Sequence, residues 1–431
     1  MRQRAYLSYF LRFVKIGIVT NLYPPYARGG AEFVIVRTVE QLLALGHDVF
    51  VITGQPKSQG RDILLGRLSL ERVYRFFPNN IYFTLDDHKY PWMIRLFWHI
   101  IDAFSWSGAE AVRTIVRDER PDVVITHNLK GIGLRIPSAI QKLGIPHIHV
   151  LHDLQLIVPS GLRMFGQEQE SGIAKIAYGM YRAICRKRMG KPRLVVSPST
   201  YLRDEYVKNG FFKEIDAKVR PNPAPKFISV VRDGRSGGPV KFLYAGQLGE
   251  HKGVKFLLDA FAKLPFDARL LIAGDGPMRA FVEERARADK RIMYLGYTQP
   301  EELAKCMEAV DALVVPSLCY ENSPTVIYET LMAGVPLIAS RIGGVGELIQ
   351  EGKNGYLFTP GDSDDFVRVA TEMHNRKEEF AKNRQAIRTT IEPYALHNYA
   401  DWLLGEIARI TGKPAVTMLE HHTEMPTRVG P

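Results

Sequence analysis

Cysteine is scarce in this 431-residue chain: Cys185, Cys306 and Cys319 are the only three. They form no CxxC pair and have no histidine at zinc-ligand spacing, so neither a zinc site nor a disulfide framework is expected. A reducing, cytoplasmic setting fits that scarcity. Long apolar runs are also missing. No uncharged apolar stretch reaches about 18 residues, so no spanning helix is expected. The opening MRQRAYLSYFLRFVKIGIVTN carries Arg12 and Lys15 inside its apolar stretch and no small-residue cleavage site follows, so no secretory leader is expected either. No D-x-D element stands where a predicted strand end would offer it to a metal, although Asp-Asp pairs occur at 86–87 and 364–365. The expectation is therefore a reaction with no metal and no resident cofactor.

What the chain does have is an ordinary globular composition, 46% hydrophobic and 24% charged, with a net charge of +11. Its length calls for two domains, because a single core rarely grows past roughly 250 to 300 residues. The positive field suits an anionic ligand or an anionic surface. Nucleic acid is not expected, since the basic residues are spread along the chain and no recognition motif accompanies them.

Short β-branched runs alternate with helical patterns, the signature of repeated βα units on a parallel sheet. In the first half the strands are read at 15–20, 48–53, 122–127, 146–151 and 193–198, and in the second at 240–246, 268–274, 291–296, 311–317 and 335–340. The predicted fold class is thus α/β, with two Rossmann-like, doubly wound parallel-sheet domains facing a cleft. The Pro, Gly and charge-rich segment at 220–239 reads as the linker. The expected division is an N-terminal, acceptor-side domain at 13–220 and a nucleotide-sugar domain at 221–393. A helix at about 394–411 is expected to pack back on the first domain, and 413–431 to form a loose tail.

The chemistry concentrates in the second half. Strand 240–246 runs into GQLGEHKG, where Gly246, Gln247 and Lys252 lie in a glycine turn that can bring backbone amides and one point charge to an anion. IAGDGPM repeats the turn at Gly274, with Pro277 suited to a first helical turn. In PSLCYENSPTVIYETLMAG, Ser323 is read as the N-cap and Pro324 as the first residue of a helix ending at Gly334. Glu321 then lies before the helix and Glu329 on its second turn. The amides of Thr325 and Val326 suit a diphosphate, and carboxylates suit vicinal hydroxyls. A ligand with phosphate in its middle and hydroxyls at both ends is a nucleotide sugar. A capping Glu321 and a solvated Glu329 are the plainer alternative.

Taken together, YAGQLGEHKG, IAGDGP, VVPSLCYENSPTVIYETLMAGVPLIAS, GGVGELI and NGYLF resemble the retaining glycosyltransferases of the GT-B fold with an E-x7-E element, the group 1 or family 4-like enzymes. The resemblance covers nearly all of residues 240–360 and is looser over 15–220. It implies that Glu329 holds the nucleotide ribose, that Glu321 contacts donor-sugar hydroxyls, that Asn322, Ser323, Pro324 and Thr325 bring amides to sugar and diphosphate, and that Lys252 neutralises the leaving group. It also implies a nucleotide-diphosphate hexose as donor, a saccharide or lipid-linked hydroxyl acceptor, and transfer with retention during polysaccharide, lipopolysaccharide or glycolipid assembly. One departure stands out: the family commonly has arginine where this chain has Gln247, so one fixed charge is missing beside the pyrophosphate.

In the first half, Gly29 and Gly30 open a helix after the first strand and permit close backbone approach. The resemblance places this pair near the donor diphosphate and acceptor. It places His152, after the strand HVL, beside the donor sugar as a catalytic candidate with Glu321 and Lys252. His127, at a comparable strand end, is expected on the acceptor side. The aromatic helical pattern at 91–116 reads as buried core and the cluster CRKRMGKPR at 185–193 as a solvated basic face. The alternative for both together is peripheral contact with an anionic membrane, at the inner face. A nucleotide-sugar epimerase on the same scaffold, or a catalytically silent sugar-nucleotide binding protein, are the rival functions. Nucleoside diphosphate release without acceptor would favour the first, and binding without transfer the second.

Overall fold

The computed structural model of the protein describes residues 13–27, 29–60, 63–67, 70–225 and 238–414. Two sheets carry the architecture. The first contains β1 (Lys15–Thr20), β2 (Asp48–Gly54), β3 (Leu64–Arg67), β4 (Arg72–Phe76), β5 (Val123–Thr126), β6 (His147–Val150), β7 (Leu194–Ser197) and β8 (Ala217–Val219), in the order β3-β4-β2-β1-β5-β6-β7-β8. The second contains β9 (Val240–Ala245), β10 (Ala268–Ala273), β11 (Ile292–Gly296), β12 (Ala312–Val315), β13 (Leu337–Ser340) and β14 (Gly355–Phe358), in the order β11-β10-β9-β12-β13-β14. Every pairing is parallel except β3 with β4. The residues Val123–Thr126, His147–Val150 and Leu194–Ser197 are buried along their whole lengths, as a sheet covered on both faces requires.

All ten strands read from the sequence are present. Four were not read: β3, β4, β8 and β14. The helices that matter below are α1 (Gly30–Ala44), α2 (Trp92–Phe104), α3 (Ser107–Glu119), α4 (Gly172–Met189), α5 (Thr200–Lys208), α6 (Thr325–Met332) and α7 (Leu396–Thr411). α7 lies on the first sheet's side: Tyr399, Leu403, Leu404 and Ile407 share a buried cluster with Ile35, Val39 and Leu42 of α1 and with Ile16 and Ile18 of β1. Each such side chain contributes on the order of 2 kcal/mol. Ion pairs from Glu406 to Lys218 at 2.6 Å and from Arg409 to Asp216 at 2.6 Å fasten the same helix beside β8. Most of the linker, 226–237, and the tail beyond 414 lie outside the described residues.

The aromatic pattern at 91–116 departs from its reading in two ways. It forms two helices, α2 and α3, broken at Ser105 and Trp106, and α2 is largely uncovered. Trp98 is buried and donates its indole N–H to the Tyr82 carbonyl at 2.8 Å, but Trp92, Met93, Leu96, Phe97, Ile100 and Phe104 are exposed. The stripe is wide enough that one edge satisfies the core while the rest faces outward.

Candidate functional site

Each sheet reverses its strand order once, between β1 and β5 in the first and between β9 and β12 in the second. A crevice opens at the carboxyl ends of strands where the order reverses, because the following loops diverge to opposite faces. In the second sheet the two diverging loops supply Lys252, after β9, and Glu321, after β12. Their side chains form an ion pair, and Ser317 Oγ donates to the same Glu321 oxygen at 3.0 Å. Burial pulls the Lys252 ammonium down, but the Glu321 carboxylate more than offsets it, so the lysine stays charged. Cys319, beside them, has its thiol pushed up to about 12 by burial and then by Glu321, which leaves it an inert wall.

The glycine turns hold this crevice open by packing on each other. Gly274 has φ +145, and a Cβ there would meet the Gly246 carbonyl at 1.9 Å. The close approach fixes loop 246–249, as do the Tyr244 hydroxyl on the Gln247 carbonyl at 2.7 Å and Leu248 N–H on the Asp275 carbonyl at 2.9 Å. Gln247 itself is exposed at the mouth of the crevice.

α6 begins one residue later than read. Pro324, with φ −64 and ψ 125, occupies the N-cap position, and Thr325 is the first helical residue. Ser323 stands outside the helix and spends its hydroxyl on the Tyr328 hydroxyl at 2.6 Å, while its carbonyl accepts from Asn222 Nδ2 at 3.1 Å. Pro277 likewise lies two residues before its helix, which starts at Arg279. The start of α6 packs against that of α1 from the other domain: a Cβ on Gly30 would lie 2.8 Å from Thr325 Cγ2. A larger residue at 30 would have to push the Thr325 side chain aside. α1 is held in register by Glu32, whose carboxylate accepts the Gly29 N–H at 2.7 Å. Two helix starts, each the positive end of a helix dipole, thus lie side by side.

Further along the same two helices, Arg37 Nη2 meets Glu329 Oε1 at 2.9 Å, with both side chains about a quarter exposed. The other guanidinium nitrogen, Nη1, is buried with no hydrogen-bond partner. Both members of the Glu321/Glu329 pair are therefore engaged by cations of this chain, one from each domain.

The first sheet contributes histidines. His127 follows β5 and His152 follows β6; His127 Nδ1 and His152 Nε2 are 2.8 Å apart, their rings stacked at 5.1 Å. Burial lowers the His152 imidazole to about 4 and takes His127 well below 6.5, the latter helped by the neighbouring His152 and His149. At neutral pH both rings are neutral, and one donates to the other. Behind them runs a chain whose direction is fixed: Gln141 Nε2 donates to His147 Nδ1 at 3.1 Å, His147 Nε2 faces Thr126 Oγ1 at 2.7 Å, and that hydroxyl faces His149 Nδ1 at 2.8 Å. Asp153, next to His152, accepts from Asn128 Nδ2 at 3.4 Å and from the Gln155 N–H at 2.8 Å, and burial raises its carboxyl to about 6.

Contacts between the domains run through the same region. Asn322 Nδ2 donates to the His152 carbonyl at 3.1 Å, while Asn322 Oδ1 is buried without a partner. Tyr320 N–H donates to the Arg163 carbonyl at 2.9 Å, and the Tyr201 and Tyr320 rings stack at 5.4 Å. Glu347 accepts the N–H groups of Thr200 and Tyr201, both at 2.7 Å, and so caps α5 from across the cleft. Glu347→Ala should expose those two amides; hydrogen exchange at Thr200 and Tyr201 should accelerate roughly tenfold, the equivalent of a lost cap. Exchange unchanged at both would show that the cap does not hold the closed arrangement.

Of the residues singled out from the sequence, Gly29, Gly30, Lys252, Glu321, Asn322, Thr325, Glu329 and His152 are gathered around the cleft. Gly246, Gly274 and Gln247 shape or rim the second crevice, and Ser323 and Pro324 set the start of α6. Sequence reading missed Arg37 and Glu347, whose partners are 292 and 147 residues away. No local spacing signals such pairs. Among the described residues, no group of three or more His, Cys, Asp or Glu side chains could hold a metal ion.

The geometry has relatives. Residues 239–376 match the family described as glycosyl transferases group 1, and residues 28–224 match glycosyltransferase family 4. An uncharacterized glycosyltransferase of Methanocaldococcus jannaschii is 32% identical over 413 residues, covering 90% of this chain and 96% of the other. Among solved structures, the sucrose-phosphate synthase of Thermosynechococcus elongatus superposes with a TM-score of 0.68 at 17% identity, covering 92% of this chain and 98% of its own. HepE of Anabaena, in complex with UDP, superposes with a TM-score of 0.65 at 17% identity over 92% of this chain and all of that one (100%). Those two superpositions establish the GT-B fold. With both halves matched and a full-length relative at that identity, the chain belongs to the group 1, family 4-like glycosyltransferases.

Proposed function

We propose that this transferase moves a hexosyl unit from a nucleotide-diphosphate sugar to a hydroxyl of a saccharide or lipid-linked acceptor, with retention of anomeric configuration and without a metal ion. Its setting would be cytoplasmic polysaccharide, lipopolysaccharide or glycolipid assembly. The observation that carries this reading is the contact between the starts of α1 and α6, with the Lys252–Glu321 ion pair ahead of α6 and Glu329 on its second turn. Helix-start amides and a lysine suit a diphosphate whose charge grows as it departs. Carboxylates on either side suit the hydroxyls of a ribose and of a sugar. HepE, which shares the fold, is solved in complex with UDP, and this supports a nucleotide as part of the ligand.

On this reading the bond from the anomeric carbon to the phosphate oxygen breaks, and the acceptor oxygen bonds the same carbon on the same face. The acceptor's proton passes to the departing phosphate. His152, neutral and hydrogen-bonded to His127, can orient a sugar hydroxyl but is not a source of protons at neutral pH. Glu321, paired with Lys252, is a clamp rather than a glycosidase-type nucleophile.

The test is a thermal-shift screen over UDP-, GDP- and ADP-hexoses, followed by NMR of the product made from the stabilising donor. Transfer in the presence of EDTA, giving a product anomer identical to the donor's, is the expected result. An inverted product, or activity lost to EDTA and restored by manganese, would overturn the corresponding half of the proposal.

A further inference from the structure

We infer that α2 and α4 form a docking surface for an anionic lipid bilayer. This goes beyond the transfer reaction and uses none of the residues placed in the cleft. On α2, Trp92, Met93, Leu96, Phe97, Ile100 and Phe104 are 45–71% exposed. At 100° per residue they fall within an arc of about 140°. Trp106, just past the helix end, is 63% exposed. On α4, Ile173, Ile176 and Met180 are 86%, 67% and 63% exposed, again one face at helical spacing. Water-facing stripes of this size on two helices are unusual in a soluble domain and mark an interaction surface.

Cations sit at the carboxyl end of the α2 stripe, beside the carboxyl end of α4. The Arg135 guanidinium lies 3.9 Å from the centre of the Trp106 ring, and its Nε donates to the Phe104 carbonyl at 2.8 Å. The Arg188 guanidinium, at the end of α4, lies 5.5 Å from the centre of the Phe104 ring. Among the described residues, Arg135, Arg188, Lys175 and Lys187 have no acidic partner, unlike Arg182, which pairs with Glu170 at 2.7 Å.

That combination selects the occupant. An apolar helix face rimmed by unpaired arginine and lysine, with tryptophan at each end, matches a bilayer interface: acyl chains take the stripe, headgroup phosphates take the guanidinium groups, and indoles lie at the boundary. A symmetric pairing of these two helices would set the same cations against one another, since α4 has no acidic residue and the one in α2, Asp102, is buried. Among the described residues no helix is long and apolar enough to cross a membrane, so the contact is one of surface attachment.

The test is co-sedimentation of the full chain with phosphatidylcholine vesicles and with mixed phosphatidylcholine–phosphatidylglycerol vesicles. The expected result is pelleting with the mixed vesicles and little with phosphatidylcholine alone. Two double variants, Arg135→Glu with Arg188→Glu and Trp92→Ser with Phe97→Ser, should each weaken binding about tenfold or more. Circular dichroism and melting temperature serve as the fold control, since all four positions lie at the surface. Equal binding to both vesicle types, or wild-type binding by both folded variants, would overturn the proposal. So would an absence of vesicle binding together with a solution dimer that Trp92→Ser with Phe97→Ser dissolves, which would assign the face to a second copy.

Discussion

Lys252→Ala should lower kcat by about two to three orders of magnitude, the cost of removing one preorganised charge from a developing anion. Lys252 is the one side-chain cation at the second sheet's crevice that pairs with Glu321, and Gln247 beside it has no charge to share the task. The substitution also leaves the Ser317 hydroxyl as the remaining partner of the Glu321 Oε1 oxygen. A companion variant, Glu321→Gln, separates the two effects. It keeps the hydrogen bond from Ser317 and the lysine charge but removes the carboxylate, so it should raise KM for the donor more than it lowers kcat. The measurement is steady-state release of nucleoside diphosphate at saturating acceptor. A kcat within about twofold of wild type for Lys252→Ala would sink the leaving-group role.

A second large effect concerns stability against acid. Burial lowers five imidazoles: His99 and His152 to about 4, His147 to about 3, and His127 and His149 well below their ordinary 6.5. For each, the unfolded chain takes up a proton near 6.5 and the folded chain does not until much lower pH. Their contribution is therefore present above 6.5 and lost as pH falls toward 4. Two carboxyls oppose them. Burial raises Asp102 to about 7 and Asp153 to about 6, so over the same window the folded chain holds these protons more tightly than the unfolded one. Five groups against two leave the unfolded state richer in protons across this window, so stability falls as the pH falls. Urea unfolding should show stability collapsing by several kcal/mol between pH 6.5 and 4. A flat profile across that range would mean that the histidine network is hydrated in solution.

The fold was legible because parallel strands buried on both faces announce themselves as apolar β-branched runs. The strands that escaped notice say why reading fails at the margins. β3 and β4 are a short antiparallel pair at a sheet edge, LLGR and RVYRF, whose arginines and exposure look like loop. β8 is three residues long and only half-buried. Glu321 and Glu329 were visible through a proline-marked helix start, yet that start is one residue later, because Ser323 finds the Tyr328 hydroxyl and leaves the cap position to Pro324. The aromatic stripe of α2 was taken for core because periodicity gives the angle of an apolar face and not what covers it. Arg37 and Glu347 could not be read at all, since each acts across the cleft on a partner in the other domain.

Arg37 has a consequence for how the donor enters. The carboxylate proposed for the ribose is already paired with a guanidinium from the opposite domain. Binding is then an exchange in which two hydroxyls evict a guanidinium, and only the difference between the two contacts appears as affinity. The guanidinium so displaced gives up its one carboxylate contact, its other terminal nitrogen being buried without a hydrogen-bond partner. The Arg37–Glu329 pair therefore sets a floor that a ligand's hydroxyls must exceed, and it ties donor affinity to the contact between the domains.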